Sequence, residues 1–456
     1  MDSPAAARRY GCALAVVAML CGGCATYSDT LGKTHRAAEA GDYTTGINQL
    51  NKLLGVEDYE HVPDEWKGER SLVALERAVL LQSIGQYKCS ARDLSAAENE
   101  LDYIDLSGDT AGKIGEYIYS DSAEKYKAQP TERLAINAFN MLNYLMMGDL
   151  QGASVEARRF TVTRDYLQSL DQTSHGAFGS YLAGFVFEKL GEPDRALRYY
   201  EEALEAGDIQ ACREPILRLS KLSDYRGPRL REYLSRVGPD NPVQADGQPA
   251  NEDTDGEVLI VFGLGCVSYK IPKRIPVGIA LGYAGVVVTA DPEVLSHLVL
   301  KVLVYPELVA SDNVITNAGI TLDGRSPPVE LLTNLDAEIV SEYEKIKPKI
   351  ITAAITRMIA RAAVAEGVRL LPRKSERKSI GTLGALLTEA ALVGLDKPDT
   401  RSWTFLPARA YICRIKVPPG HHEIHVNLSG KTQETQVISA DVPPGGFSVV
   451  AVTEPR

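Results

Sequence analysis

The stretch Gly238–Gly256 (GPDNPVQADGQPANEDTDG) divides the chain into two parts with different hydrophobic periods. From Thr30 to about Arg236, apolar residues recur at helical spacing and strand signals are scarce. After the divide, Glu257–Gly263, Val277–Thr289, His297–Tyr305 and Asn313–Leu322 are apolar or β-branched runs bounded by turn residues. A pattern with a period near 3.6 does not lie flat as a strand, nor one with a period of 2 as a helix. The expected fold class is therefore α+β and multidomain: an irregular α-solenoid, then a C-terminal β-rich domain with two or three helices. The expected boundaries are 1–23 for a targeting segment and 24–237 for the helical domain. Residues 238–256 form a flexible linker and 257–456 the α+β domain, which carries a sandwich-like sheet.

Within the helical half, Gly41-Asp42-Tyr43, Gly85-Gln86-Tyr87, Gly148-Asp149-Leu150 and Gly191-Glu192-Pro193 each separate two amphipathic stretches. Glycine there suits the end of one helix before its neighbour folds back. Tyr181–Asp208 matches the tetratricopeptide repeat. Gly184 sits where two helices must approach, Gly191 ends the first helix, and Ala196, Tyr200 and Ala203 form the inner stripe of the second. Asn137–Arg159 is a weaker copy, with Tyr144 and Gly148 in corresponding places. The turns are unevenly spaced, so the array is expected to be irregular, with three to five helical pairs and extra helices around Ala111–Tyr126. Such arrays present concave grooves. Tyr144, Phe187 and Tyr200 are the candidate partner-binding residues, against the plainer reading that they pack between helices.

In the second half, Leu335–Gly367 reads as a long helix that Pro348 either kinks or divides. Ile380–Leu395 is apolar but too short to span a bilayer, and burial against the long helix or docking elsewhere would both suit it. Val417-Pro418-Pro419-Gly420 and Val442-Pro443-Pro444-Gly445 are near-identical turns, each followed by an alternating run. Asp399–Pro407 (DTRSWTFLP) reads as a structural corner in which Asp399 pairs with Arg401 and Trp403 is buried.

The first residues read as targeting signal rather than fold. Arg8 and Arg9 precede the apolar Gly11–Leu20, and Cys21, Gly22 and Gly23 lead to Cys24. This resembles a bacterial lipobox, in which the cysteine becomes the first mature residue and carries acyl chains that hold it to a bilayer. An ordinary cleaved signal peptide and an uncleaved anchor are the alternatives. Ala25 is not the Asp that often retains lipoproteins at the inner membrane, so the outer membrane, facing the periplasm, is the expected location. The chain's net charge of −11 argues against nucleic-acid binding, which needs a basic face. After the signal, Cys89, Cys212, Cys266 and Cys413 show no zinc-ligand spacing; Cys266 and Cys413 can be imagined paired in an oxidising compartment.

His421, Glu423 and His425 would share one face of a strand. They form a weak candidate set for a metal, weighed against a solvated hairpin edge. Gly263-Leu264-Gly265 does not complete a phosphate loop, and the basic run Lys270–Pro276 reads first as a solvated loop. No catalytic frame stands out, so no enzymatic activity and no cofactor are expected.

The Cys24 lipobox, Glu132–Arg159, the repeat at Tyr181–Asp208 and Asp399–Pro407 together resemble a family of bacterial tetratricopeptide-containing envelope lipoproteins of uncharacterised function. The resemblance implies a lipid-anchored scaffold or adaptor without catalysis, with cell-envelope proteins or peptides as partners. The alternatives are a metal-dependent envelope hydrolase, and a glycan- or peptidoglycan-binding module in the C-terminal half. The sequence sets no oligomeric state.

Overall fold

The computed structural model describes residues 26–103, 126–169, 176–237, 255–284, 302–369 and 398–456. The expected signal with Cys24, residues 238–254 of the expected linker, the expected helix within 111–125 and the apolar segment 380–395 lie outside the described residues.

The first half is helical. Its helices are α1 (Tyr27–Glu39), α2 (Tyr43–Leu54), α3 (Arg70–Ser83), α4 (Tyr87–Glu100), α5 (Pro130–Met146), α6 (Leu150–Ser169), α7 (Ala177–Lys189), α8 (Pro193–Ala203), α9 (Arg213–Leu219) and α10 (Pro228–Val237). Two short strands, β1 (Asp102–Tyr103) and β2 (Lys127–Ala128), pair in parallel between α4 and α5. The four turn glycines Gly41, Gly85, Gly148 and Gly191 all have φ between 71° and 76°. In each turn the next residue's N–H reaches back to a carbonyl five positions earlier, as Glu192 does to Phe187 at 2.9 Å. That bond caps the outgoing helix and reverses the chain. Gly184 has the reason its position suggested: a Cβ there would lie 2.7 Å from the Tyr200 ring.

The second half adds β3 (Gly256–Leu264), β4 (Tyr269–Pro276), α11 (Val277–Ala284), β5 (Val302–Val309), β6 (Ile315–Leu322), β7 (Glu330–Asn334), α12 (Leu335–Arg369), β8 (Arg409–Val417), β9 (Gly420–Gly430), β10 (Gln433–Val442) and β11 (Phe447–Glu454). A four-stranded sheet runs β11-β3-β8-β7 and a three-stranded sheet β10-β9-β6. The Pro-Pro-Gly turns are the crossovers between them, from β8 to β9 and from β10 back to β11. Pro removes ladder donors where a strand must leave its sheet.

Val258, Ile260, Phe262, Ile424, Val426 and Leu428 fill the space between the two sheets. Leu259, Val261, Ala410 and Ile412, on the other face of the four-stranded sheet, join the core of the helical array. The result is three layers, helices on sheet on sheet. Every residue of β3 is buried because both its faces are covered.

One sequence expectation needs correction, and two alternatives left open are decided. Val277–Thr289 is not a strand over its described part: Val277–Ala284 is helical. Val277 and Ala280 pack with Ile346, Ile350 and Ile351 of α12. A short apolar run does not declare its period, and the neighbouring helix decided it. Pro348 does not divide the long helix, which continues from Leu335 to Arg369 with Pro348 inside. Cys266 and Cys413 are free thiols. They lie in different cores, Cys266 in that of the helical array and Cys413 between the sheets.

Candidate functional site

A partner-binding role for the inner residues of the helical array needs an open face, but here the chain covers that face itself. Helices α3, α5 and α7 are buried along nearly their whole length. Their cover is the four-stranded sheet and the segment Asp399–Pro407. Buried carboxylates of the array grip that segment by its backbone. Glu76 accepts from the N–H groups of Thr404 and Phe405, both at 2.7 Å, and Glu132 accepts from that of Trp403 at 3.1 Å. Asp399 and Arg401 form the expected pair, at 2.9 and 2.6 Å, and Trp403 is fully buried.

This arrangement decides the fate of the candidate partner residues. Phe187 and Tyr200 have no exposed surface. Phe187 stacks on Tyr199, and Tyr200 donates to Glu188 at 2.6 Å and lies 3.1 Å from Arg414 of β8. Their place as groove contacts is therefore corrected: they are packing residues, Phe187 against α8 and Tyr200 against α7 and β8. Tyr144 is half-buried, with its ring over Gly152. Ala196 and Ala203 are buried with Tyr200.

His421, Glu423 and His425 do alternate onto one exposed face of β9. They do not converge: His421 pairs with Asp441 at 2.8 Å. Among the described residues no group of three His, Cys, Asp or Glu is placed to hold a metal ion. Lys270 is buried, its ammonium on the Arg401 carbonyl, so the basic run is a strand and not a loop.

An open groove lies elsewhere on the helical array. It is a groove of about 500 Å³ between the end of α4, the start of α5 and the length of α6. Glu98, Asn99, Arg133, Val155, Arg158, Arg159, Val162 and Thr163 line it. α6 buries Ala153, Ala157, Phe160 and Leu167, which leaves Val155, Val162 and Tyr166 on a second stripe facing outward. Val162 is 70% exposed, unusual for a β-branched apolar residue on a helix.

Charge accompanies the apolar stripe. Arg159 reaches Glu98 at 3.4 Å and Glu156 at 3.3 Å, so its charge is partly spent. Asn137 donates to the same two carboxylates. Burial raises the pKa of Glu156, with Arg159 opposing. Arg158 is exposed and has no ion-pair partner among the described residues. Groove chemistry of this kind can hold an extended segment bearing apolar side chains and carboxylates.

The sequence held a signal for this groove: Val155, Val162 and Tyr166 recur at spacings of seven and four, out of phase with the buried stripe. No helix among the described residues is long and apolar enough to cross a membrane. Comparisons with known protein families, with characterised proteins and with solved structures find no match to this chain.

Proposed function

We propose that the chain is a lipid-anchored scaffold of the bacterial cell envelope that holds an acidic, partly apolar segment of a protein partner in the groove of α6. On this reading the helical hairpins are tetratricopeptide-like, Cys24 carries the lipid, and the outer membrane is the site of action. The groove, with exposed Val155 and Val162 beside Arg158, carries the reading. The apolar stripe supplies area and the arginines supply orientation.

The test is a photo-crosslinking side chain placed at Val162 in cells, with the same group at Leu222, 68% exposed and outside the groove lining, as the control. A discrete adduct at Val162, absent at Leu222 and lost with Arg158→Glu, is expected. Arg158→Glu itself should change stability by no more than about 0.5 kcal/mol, as surface substitutions do. Equal labelling at both positions, or an adduct indifferent to Arg158→Glu, would refute the groove.

A further inference from the structure

The outer sheet ends in a strand with no neighbour on its far side among the described residues. β10 (QETQVISADV) pairs with β9 in unbroken antiparallel register from Gln433↔Ser429 to Val442↔Gly420, with no bulge. It is the edge of its sheet, and among the described residues no strand runs along its other side. Edge strands are normally blunted by Pro, Lys, a bulge or a short length. β10 has none of these four: its sequence contains neither Pro nor Lys, it is 10 residues long, and its one inward-facing charge, Glu434, is neutralised by Arg456. At its centre Val437 is 56% exposed.

We infer that β10 is a self-association edge, pairing antiparallel with β10 of a second copy of this chain about a two-fold axis at Val437. The strand is complementary to itself in that register. Val437 meets Val437, Thr435 meets Ser439, and Gln433 meets Asp441, all from the solvent face. The two acids of β10, Glu434 and Asp441, fall opposite Ala440 and Gln433, so no like charges oppose. A slip of one residue would set exposed positions against buried ones, which disfavours the neighbouring registers. The product is a continuous six-stranded sheet with the two exposed valines in contact, a closed isologous dimer. The edge is independent of the α6 groove.

The test uses the full chain with Val437→Cys or Thr435→Cys under mild oxidation. Across the axis the Val437 Cβ atoms would lie about 5 Å apart. Two Thr435 positions would be about 13 Å apart along the strands. The described native cysteines Cys89, Cys212, Cys266 and Cys413 are all buried, and the unmodified chain serves as the control. Val437→Cys should give a disulfide-linked dimer, and Thr435→Cys no more than that control. In sedimentation the native chain should be a dimer, and Val437→Lys, with an unchanged circular-dichroism spectrum, should weaken dimerisation by about tenfold or more. A monomeric native chain, equal crosslinking at both positions, or a dimer untouched by Val437→Lys would overturn the inference.

Discussion

Replacing Arg414 with Ala is expected to lower the unfolding free energy by about 3–5 kcal/mol, the cost of leaving buried charges without their partner. Arg414 sits on β8 and reaches across the layer boundary. Its guanidinium donates to Glu188 of α7 at 2.5 and 3.1 Å and to Glu257 of β3 at 2.9 and 3.0 Å. The side chains of Arg414 and Glu188 are 6% and 2% exposed. Burial disfavours ionised Glu188, but Arg414, with Lys189 and the Tyr200 hydroxyl, outweighs it and holds the carboxyl well below the usual range. A depressed carboxylate stabilises the fold above its unfolded-state pKa, and that contribution is lost as the pH falls towards its folded value. Urea unfolding of Arg414→Ala should show the loss at pH 7 and a smaller difference from the native chain in acid. A loss below about 1 kcal/mol would mean that water reaches the network, in line with the small worth of exposed pairs.

Glu76→Ala is expected to be comparably severe, about 3–5 kcal/mol, because it strands several buried donors at once. Thr404 and Phe405 would lose the acceptor of their N–H groups, and the Thr404 and Tyr27 hydroxyls theirs. The pH dependence here has the opposite sign. Burial pushes Glu76 up to about 8 despite those donors, and burial likewise takes Glu342, beside the start of α5, to about 8. A raised folded pKa means that the folded state holds the proton more tightly. Its stabilisation is complete below the unfolded value of about 4.5 and is lost as the pH rises to about 8.

The local hydrogen bonds can serve either form. His35, lowered to about 4 by burial, stays neutral and lies 3.0 Å from the Thr404 hydroxyl. With Glu76 ionised, Thr404 donates to it; with Glu76 protonated, Thr404 accepts that proton and donates to His35 Nε2. The native chain should therefore lose stability between pH 5 and 8, and Glu76→Gln should make that slope shallower. An unchanged slope in Glu76→Gln would show that this residue does not titrate there.

What could be read from the sequence follows the range of the forces involved. Turn glycines and Pro-Pro-Gly crossovers depend on backbone conformation within a few residues, so Gly41, Gly85, Gly148 and Gly191 were legible. So was the alternation of His421, Glu423 and His425, because the pleat has a fixed period. The division into a helical and a sheet-rich half was legible for the same reason. The covering of the helical array by the sheet was not. Phe187 and Tyr200 look identical in sequence whether a partner or the chain's own sheet lies over them. For Tyr200 the partner that settles it, Arg414, is more than 200 residues away in sequence. The helix at Val277–Ala284 was hidden similarly, since its period is decided by packing against α12. The α6 groove was half visible, as an apolar stripe out of phase with the buried one.

On the proposed reading Cys24 decides where the chain works, and acylation there is open to direct measurement. Cells expressing the native chain or Cys24→Ser are grown with radiolabelled palmitate and fractionated. The native chain should carry label and sediment with membranes, while Cys24→Ser should lose the label and shift to the soluble fraction. A Cys24→Ser chain that still carries full label in the membrane fraction, or a native chain found unlabelled in the cytosol with its first 23 residues intact, would contradict a scaffold held at the envelope by its own lipid.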